Sequence, residues 1–508
     1  MSDRTGIKKC KKLLGLCLLF FTLIALCACG NNIPENRVFS VDDIEGKTIG
    51  VQLGTTGDIY CSDYEGDDAG SVIERYNKGA DAVSSLKQGK LDCVVIDIQP
   101  AKAFVRENPE LRILDEEFTI EDYAAVIAKG NEELLREFNS ALDTLRKDGT
   151  LTKIINNYIP DETTGETVPF TYIQTVTDGD VLHMATNAQF PPYEFYDGGN
   201  IVGIDVDIAR AAADIMGLRL EIVDMEFDAI INAVSSGKAD IGLAGFTVTD
   251  ERKKQINFSD SYTTSKQVII VRDDEAIRES QSFFTKFYNN FIKDNRWEYL
   301  AKGLLNTLII TVLAIIIGAV LGFLLALVRV NHDKNGSLPV LNLFARLYVT
   351  IFRGTPMMVQ LLIIYFVIFS SINISKVLVA VIAFGLNSAA YLCEVIRSGI
   401  MSIDEGQFEA GKSLGLSYST MMKHIILPQA LKNVLPAIGN EFISLLKETS
   451  IAGYIGLQDL TKGGDIIRSI TYEPLLPLVA VALVYLIIVL ILSALVSKLE
   501  RRLKKNER

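Results

Sequence analysis

Glu409-Ala410-Gly411-Lys412-Ser413-Leu414-Gly415, followed nine residues later by Ile425-Ile426-Leu427-Pro428, is a polar break between long apolar runs. Its residues suit a short element outside lipid. Gly415 permits a tight turn, Leu427 and Pro428 open a new element, and 417–424 is too polar for hydrocarbon. The overlapping Gly406-Gln407-Phe408-Glu409-Ala410-Gly411-Lys412-Ser413 formally matches a phosphate-binding loop. Context rejects that match. Such a loop follows a buried strand and opens a helix whose amides cradle phosphate, whereas residues 391–400 lead out of a membrane span. Any ATPase must be another chain.

Working outward, 508 residues with 49% apolar content are too many for one soluble domain and too polar for an all-membrane chain. The net charge is −12, yet six Lys or Arg fall in the last eleven residues. Basic charge is therefore local, and nucleic acid is not a partner. His183, His332 and His424 are scattered, so neither a metal site nor a catalytic constellation forms, and the chain is not an enzyme.

Lys8, Lys9, Lys11 and Lys12 precede an apolar run at 13–28, the pattern of an export signal. Leu26-Cys27-Ala28-Cys29-Gly30 looks like a lipobox that would lipidate Cys29 in membrane lipid, making 1–29 a lipoprotein-type signal peptide. Cys61 and Cys93 remain in the exported part, and a disulfide between them is not favoured because Cys93 lies in a strand-like run.

Apolar runs of about 20 residues suffice to cross roughly 30 Å of hydrocarbon. About five spans are expected, near 304–328, 340–369, 377–396, 435–455 and 475–496. This makes 301–498 an all-α transmembrane domain with a basic tail at 499–508. Started outside, five crossings leave the Lys- and Arg-rich 329–353, 397–432 and tail in the cytoplasm. Residues 283–300 suit an interfacial helix entering the first span.

The exported half alternates short strands (48–51, 93–96, 181–185, 241–244) with amphipathic helices, an α/β pattern. Gly46-Lys47-Thr48-Ile49-Gly50-Val51-Gln52-Leu53-Gly54-Thr55-Thr56, Ala185-Thr186-Asn187-Ala188-Gln189-Phe190-Pro191-Pro192-Tyr193-Glu194-Phe195 and Ala244-Gly245-Phe246-Thr247-Val248-Thr249-Asp250-Glu251-Arg252 stand out.

These motifs together resemble the type II bilobed periplasmic binding proteins for polar amino acids. The spacing Glu-Ala-Gly, three residues, Gly415, nine residues, Ile-x-Leu-Pro resembles the signature of the membrane subunits of ATP-binding-cassette amino-acid importers, with Gly411 where that family often has Ala. The lobe order differs from the binding-protein family. Its second-lobe segment comes first here, implying a circularly permuted domain: 37–160 as second lobe plus ancestral C-terminal helices, 161–180 as linker and 181–275 as first lobe. The stretch around 118–129 is then expected to be the one covalent link between lobes, with one lobe hung from the lipid anchor and the other from the first membrane helix.

The resemblance implies roles. Arg252, with Thr247 and Thr56, would hold a substrate α-carboxylate, and Asp97, with the Gly245 carbonyl, the α-ammonium. Phe190 and Phe227 would sandwich the stem, Asn187 and Gln52 would read the side-chain end, and Thr55 belongs to the same substrate-binding set. Glu409, Ala410, Gly411, Gly415, Ile425, Leu427 and Pro428 would form the coupling element for two copies of a partner ATPase. ATP binds that partner, so no cofactor is expected in this chain. A second permease chain, as a homodimer, would complete the pathway. The implied function is uptake of a polar amino acid, with capture outside a bacterial cell membrane and a cytoplasmic C-terminus. The alternative is an amino-acid sensor or ligand-gated channel on the same bilobed fold.

Overall fold

The computed structural model describes residues 34–65, 70–160, 166–197, 199–274, 283–369, 372 and 374–505. The expected signal at 1–29, with Cys29, lies outside the described residues. Two five-stranded sheets organise the α/β half. The first orders β2 (Val72–Tyr76), β1 (Thr48–Gln52), β3 (Cys93–Asp97), β13 (Thr263–Arg272) and β4 (Leu111–Tyr123). The second orders β10 (Arg219–Asp224), β6 (Val181–Thr186), β11 (Ile241–Gly242), β5 (Val126–Ala128) and β12 (Ile256–Phe258). A small sheet of β7 (Gln189–Phe190), β8 (Glu194–Asp197) and β9 (Asn200–Val202) flanks the second. The inner parallel strands β1 and β3 are buried on both faces, which is why β3 reads Cys-Val-Val-Ile without polar alternation.

The longer helices are α1 (Gly79–Lys87), α2 (Glu132–Lys147), α3 (Thr150–Tyr158), α4 (Ile204–Ile215), α5 (Phe227–Ser235), α6 (Trp297–Asn335), α7 (Pro339–Gly354), α8 (Met357–Ile363), α9 (Lys376–Met401), α10 (Glu405–Ser413), α11 (Leu427–Glu448), α12 (Leu460–Thr471) and α13 (Leu475–Lys505). The Asn131 side chain accepts from Leu134 N to start α2, whose Phe138, Leu142 and Leu145 fall at i, i+4 and i+7 and are buried. Burying each contributes about 1.5–3 kcal/mol, and Leu142→Ala would cost about 2–5 kcal/mol.

The chain crosses between the two sheets twice, from β4 to β5 and from β12 to β13. This corrects the expectation of a single link at 118–129. β13 pairs antiparallel with β3 and β4 of the first sheet rather than staying with the second; its Val-Ile-Ile-Val run fits either apolar sheet, so sequence alone misplaced it. Both ends of the domain also leave from the first sheet. Asn36 N donates to the Asp274 carboxylate at 3.0 Å and Arg272 Nε to the Pro34 carbonyl at 3.0 Å. One lobe therefore carries both chain ends.

Among the described residues, three helices are long and apolar enough to cross a membrane, α6, α9 and the C-terminal α13, or four if α7 and the bent segment beginning with α8, at 109°, count as one span. The expected span at 435–455 overlaps α11, which carries Lys432, Asn440, Glu441 and Lys447 and is not among them. Small residues let α6 and α9 approach: a Cβ on Gly322 would lie 2.8 Å from the Ala389 carbonyl. The helix expected over 283–300 is broken, with Asp294 and Asn295 at positive φ, and Trp297 and Tyr299 belong to α6.

Candidate functional site

One cleft of about 310 Å³, counted out to its open mouth, lies between the lobes of the two sheets. Gln52, Thr55, Thr56 and Asp97 enter from the first, and Asn187, Phe190, Phe227, Gly245, Thr247 and Arg252 from the second. All ten residues assigned to substrate binding thus meet in one place. Most of them sit at the C-terminal end of a strand or in the turn that follows, where an open α/β sheet presents its loops, while Phe227 and Arg252 lie in the helical turns beyond β10 and β11.

Arg252 bridges the lobes. Thr249 caps its helical turn, and the guanidinium lies over the Phe246 and Phe227 rings at 5.4 and 5.7 Å. Nη1 donates to the Thr247 carbonyl at 2.9 Å and Nη2 to the Gly54 carbonyl of the opposite lobe at 2.8 Å. Phe227 and Phe246 stack with ring centroids 4.7 Å apart, and Phe190 stacks on Tyr193 at 5.7 Å. Asn187 spends an amide hydrogen on the Met225 carbonyl at 2.8 Å. The Thr55 hydroxyl is used locally, donating to Gln52 O at 2.7 Å and accepting from Asp58 N.

Four acidic groups missed by the motif reading shape the cleft. Glu121 Oε2 accepts from Thr56 Oγ1 at 2.9 Å, Thr247 Oγ1 at 2.7 Å and Gln267 Nε2 at 3.1 Å. Asp205 accepts from Gly245 N at 2.8 Å and Tyr262 at 2.9 Å. Glu194 lines the cleft at 0% exposure, and neither of its oxygens has a hydrogen bond of ordinary geometry. Burial, then the neighbouring Asp205, pushes its pKa well above the carboxylate range. Burial also raises Asp97, then Glu121, against the Tyr123 hydroxyl that donates to it. Asp224, behind the ligand loop, accepts from Ala188 N at 3.0 Å. A signal existed for Glu121: it shares a strand face with Thr119 and Tyr123.

Residues 182–309 match the family of bacterial extracellular solute-binding proteins, family 3, and residues 318–505 match the binding-protein-dependent transport system inner membrane component. A putative glutamine transport system permease protein of Rickettsia typhi is 42% identical over 226 residues, covering 44% of this chain and 99% of that protein. The chain belongs to the family of these inner membrane components. An arginine transport system permease protein of Bacillus subtilis is 42% identical over 211 residues, 41% of this permease and 94% of that one. It is also similar to the crystal structure of an amino acid ABC transporter with histidines, at 39% identity and a TM-score of 0.40, over 44% of this chain and 99% of that one. The permease is an integral membrane protein with a fused substrate-binding domain, and ATP hydrolysis is the work of a separate subunit.

The segment expected to couple to that subunit is a helix, turn and helix. Asp404 caps α10 by accepting from Gly406 N at 2.7 Å. Glu409 and Ala410 are exposed on it, while Gly411 faces Met421, 2.6 Å from where a Cβ would stand. Gly415 turns the chain at φ 72°, a conformation that costs other residues about 1–2 kcal/mol. Ile425 lies in a wide helical turn, and Leu427 and Pro428 open α11. Leu414 stands 77% exposed at the apex.

Proposed function

We propose that this chain captures an amino acid with a cationic side chain outside the membrane and passes it to its own membrane domain for ATP-driven import. One observation carries the cargo: Arg252 and Asp97, the two charges that a zwitterion needs, share a cleft with Glu194, a fully buried carboxyl set beside Asp205. Arg252 takes the α-carboxylate, Asp97 the α-ammonium, Phe190 and Phe227 the stem, and Glu194, ionising as the cation arrives, the side-chain charge. Glutamine is the second reading, favoured by the burial that keeps the Glu194 carboxyl protonated and able to donate to an amide.

The α/β half is a type II bilobed binding domain in circularly permuted order. Support comes from the chain ends, where residues 34–36 lie against 272–274, as a ring recut within one lobe requires. The membrane half makes five crossings, counting the bent pair once and α11 once, with the binding domain outside and the C-terminus in the cytoplasm. Cys29 is lipidated, and a homodimer with two ATPase chains seated on α10 completes the importer. The match over 318–505 favours this over a sensor or channel.

Calorimetric titration of the full chain in detergent against arginine, lysine, glutamine and glutamate tests the reading. Arginine or lysine should bind most tightly and Arg252→Ala should abolish binding. Preference for glutamate, or unchanged binding by the variant, refutes it.

A further inference from the structure

Between the cleft and the membrane helices lies α12, and it touches both lobes. Lys462, 2% exposed in its first turn, places Nζ 3.2 Å from Asp224 Oδ2 and 3.6 Å from Glu226 Oε1 of the second-sheet lobe. One turn on, Asp465 accepts from Lys78 at 2.6 Å. Arg468 donates to Asp81 at 2.6 Å. Lys78 and Asp81 stand at the start of α1 in the first-sheet lobe. The spacing 462, 465, 468 puts all three charges on one helix face.

α12 is fixed to the membrane domain. Asp459 caps it, accepting from Lys462 N at 2.9 Å, and Leu460 N donates to Thr307 Oγ1 of α6 at 3.1 Å. Asn306, also on α6, donates to the Gln458 carbonyl at 2.8 Å. Just before the cap, Gly456 turns at φ 65°, and any Cβ there would collide with the Asp224 carbonyl. Lys376, at the start of α9, donates to that same carbonyl at 3.1 Å. The contact also reaches the cleft: Asp224 Oδ1 holds Ala188 N, next to Asn187 of the ligand loop.

We propose that α12 is the element through which the membrane domain reads closure of the cleft, Lys462 engaging one lobe while Asp465 and Arg468 engage the other. A rigid helix cannot follow two lobes that rotate apart, so opening the cleft breaks one of the two sets of ion pairs. These pairs are largely screened from water, so their loss outweighs that of surface pairs. By reciprocity, the factor by which substrate favours docking on α12 is the factor by which docking favours substrate.

The inference rests on the importer reading, and a double-mutant cycle in the full chain separates the two. Arginine affinity is measured by calorimetry for wild type, Asp81→Ala, Arg468→Ala and the double variant; none of these residues lines the cleft. Each single variant should weaken binding about fivefold, and the double no further than either, because one interaction is being removed twice. Wild-type affinity in Arg468→Ala, or effects that multiply, would overturn it. A distance measurement between spin labels at Glu74→Cys and Glu133→Cys, one on each lobe, reads closure without substrate. Arg468→Ala should shift the distribution toward longer separations, and an identical distribution overturns the inference even if arginine is not the cargo.

Discussion

Glu121, on a strand of one lobe, accepts the hydroxyl of Thr247 from the other lobe at 2.7 Å. The same oxygen takes Thr56, so a carboxylate of the protein occupies the two hydroxyls assigned to the substrate α-carboxylate. Substrate must displace it or share the site with a like charge. Glu121→Gln should therefore tighten binding about three- to tenfold, on the order of 1 kcal/mol. Calorimetry on the full chain checks this, and weaker binding would mean that Glu121 instead serves the ammonium.

Proton linkage at Asp97 gives a second prediction. Its pKa is pushed up to about 7, chiefly by burial and next by Glu121, from an ordinary value near 3.8. A carboxyl that is raised on folding stabilises the fold below the lower value and loses that contribution as pH rises through the higher one. The unliganded domain should thus lose stability between about pH 4 and 7. An α-ammonium requires the ionised form, so affinity should rise over the same window, with a proton released on binding near pH 6. Titrations in buffers of different ionisation enthalpy detect that proton, and Asp97→Asn should flatten the profile. Asp205, raised to about 6 by burial, adds in the same direction.

Selectivity should follow Glu194. Glu194→Gln removes the carboxyl that an arriving side-chain cation would ionise, and leaves the Arg252 and Asp97 pair for the zwitterion. The ratio of arginine to glutamine affinity should fall at least tenfold in competition binding.

Leu414 presents an apolar tip beside Gly415 on the element expected to meet the ATPase. Leu414→Asp should reduce substrate-stimulated ATPase activity of the assembled transporter more than tenfold while leaving amino-acid affinity unchanged.

The cleft was legible in sequence because its residues sit in contiguous motifs, each ending a strand. Arg252 follows Thr247 by five positions, and Asp97 closes an apolar run. Glu121 and Gln267 belong to no such motif; Gln267 reaches Glu121 and Thr56 through side-chain hydrogen bonds across 146 and 211 residues. The number of crossings between lobes was misread because the Val268–Val271 run of β13 is apolar on both faces and its sheet is fixed only by pairing with β3 and β4. The docking of α12 was invisible for a related reason. Arg468 and Asp81 are 387 residues apart, and an Asp-x-x-Arg spacing on a helix reads as an ordinary solvated face. In the membrane half, α6, α9 and α13 announce themselves by length and apolarity, whereas α11 hides behind Lys432, Glu441 and Pro436.

The most direct measurement is ATP-driven uptake of radiolabelled arginine into proteoliposomes holding this chain and its ATPase subunit, with no separate binding protein added. Uptake that is lost in Arg252→Ala and outcompeted by lysine is the predicted result. ATP hydrolysis without uptake of arginine, lysine or glutamine, or uptake that survives Arg252→Ala, would contradict capture and translocation by one chain.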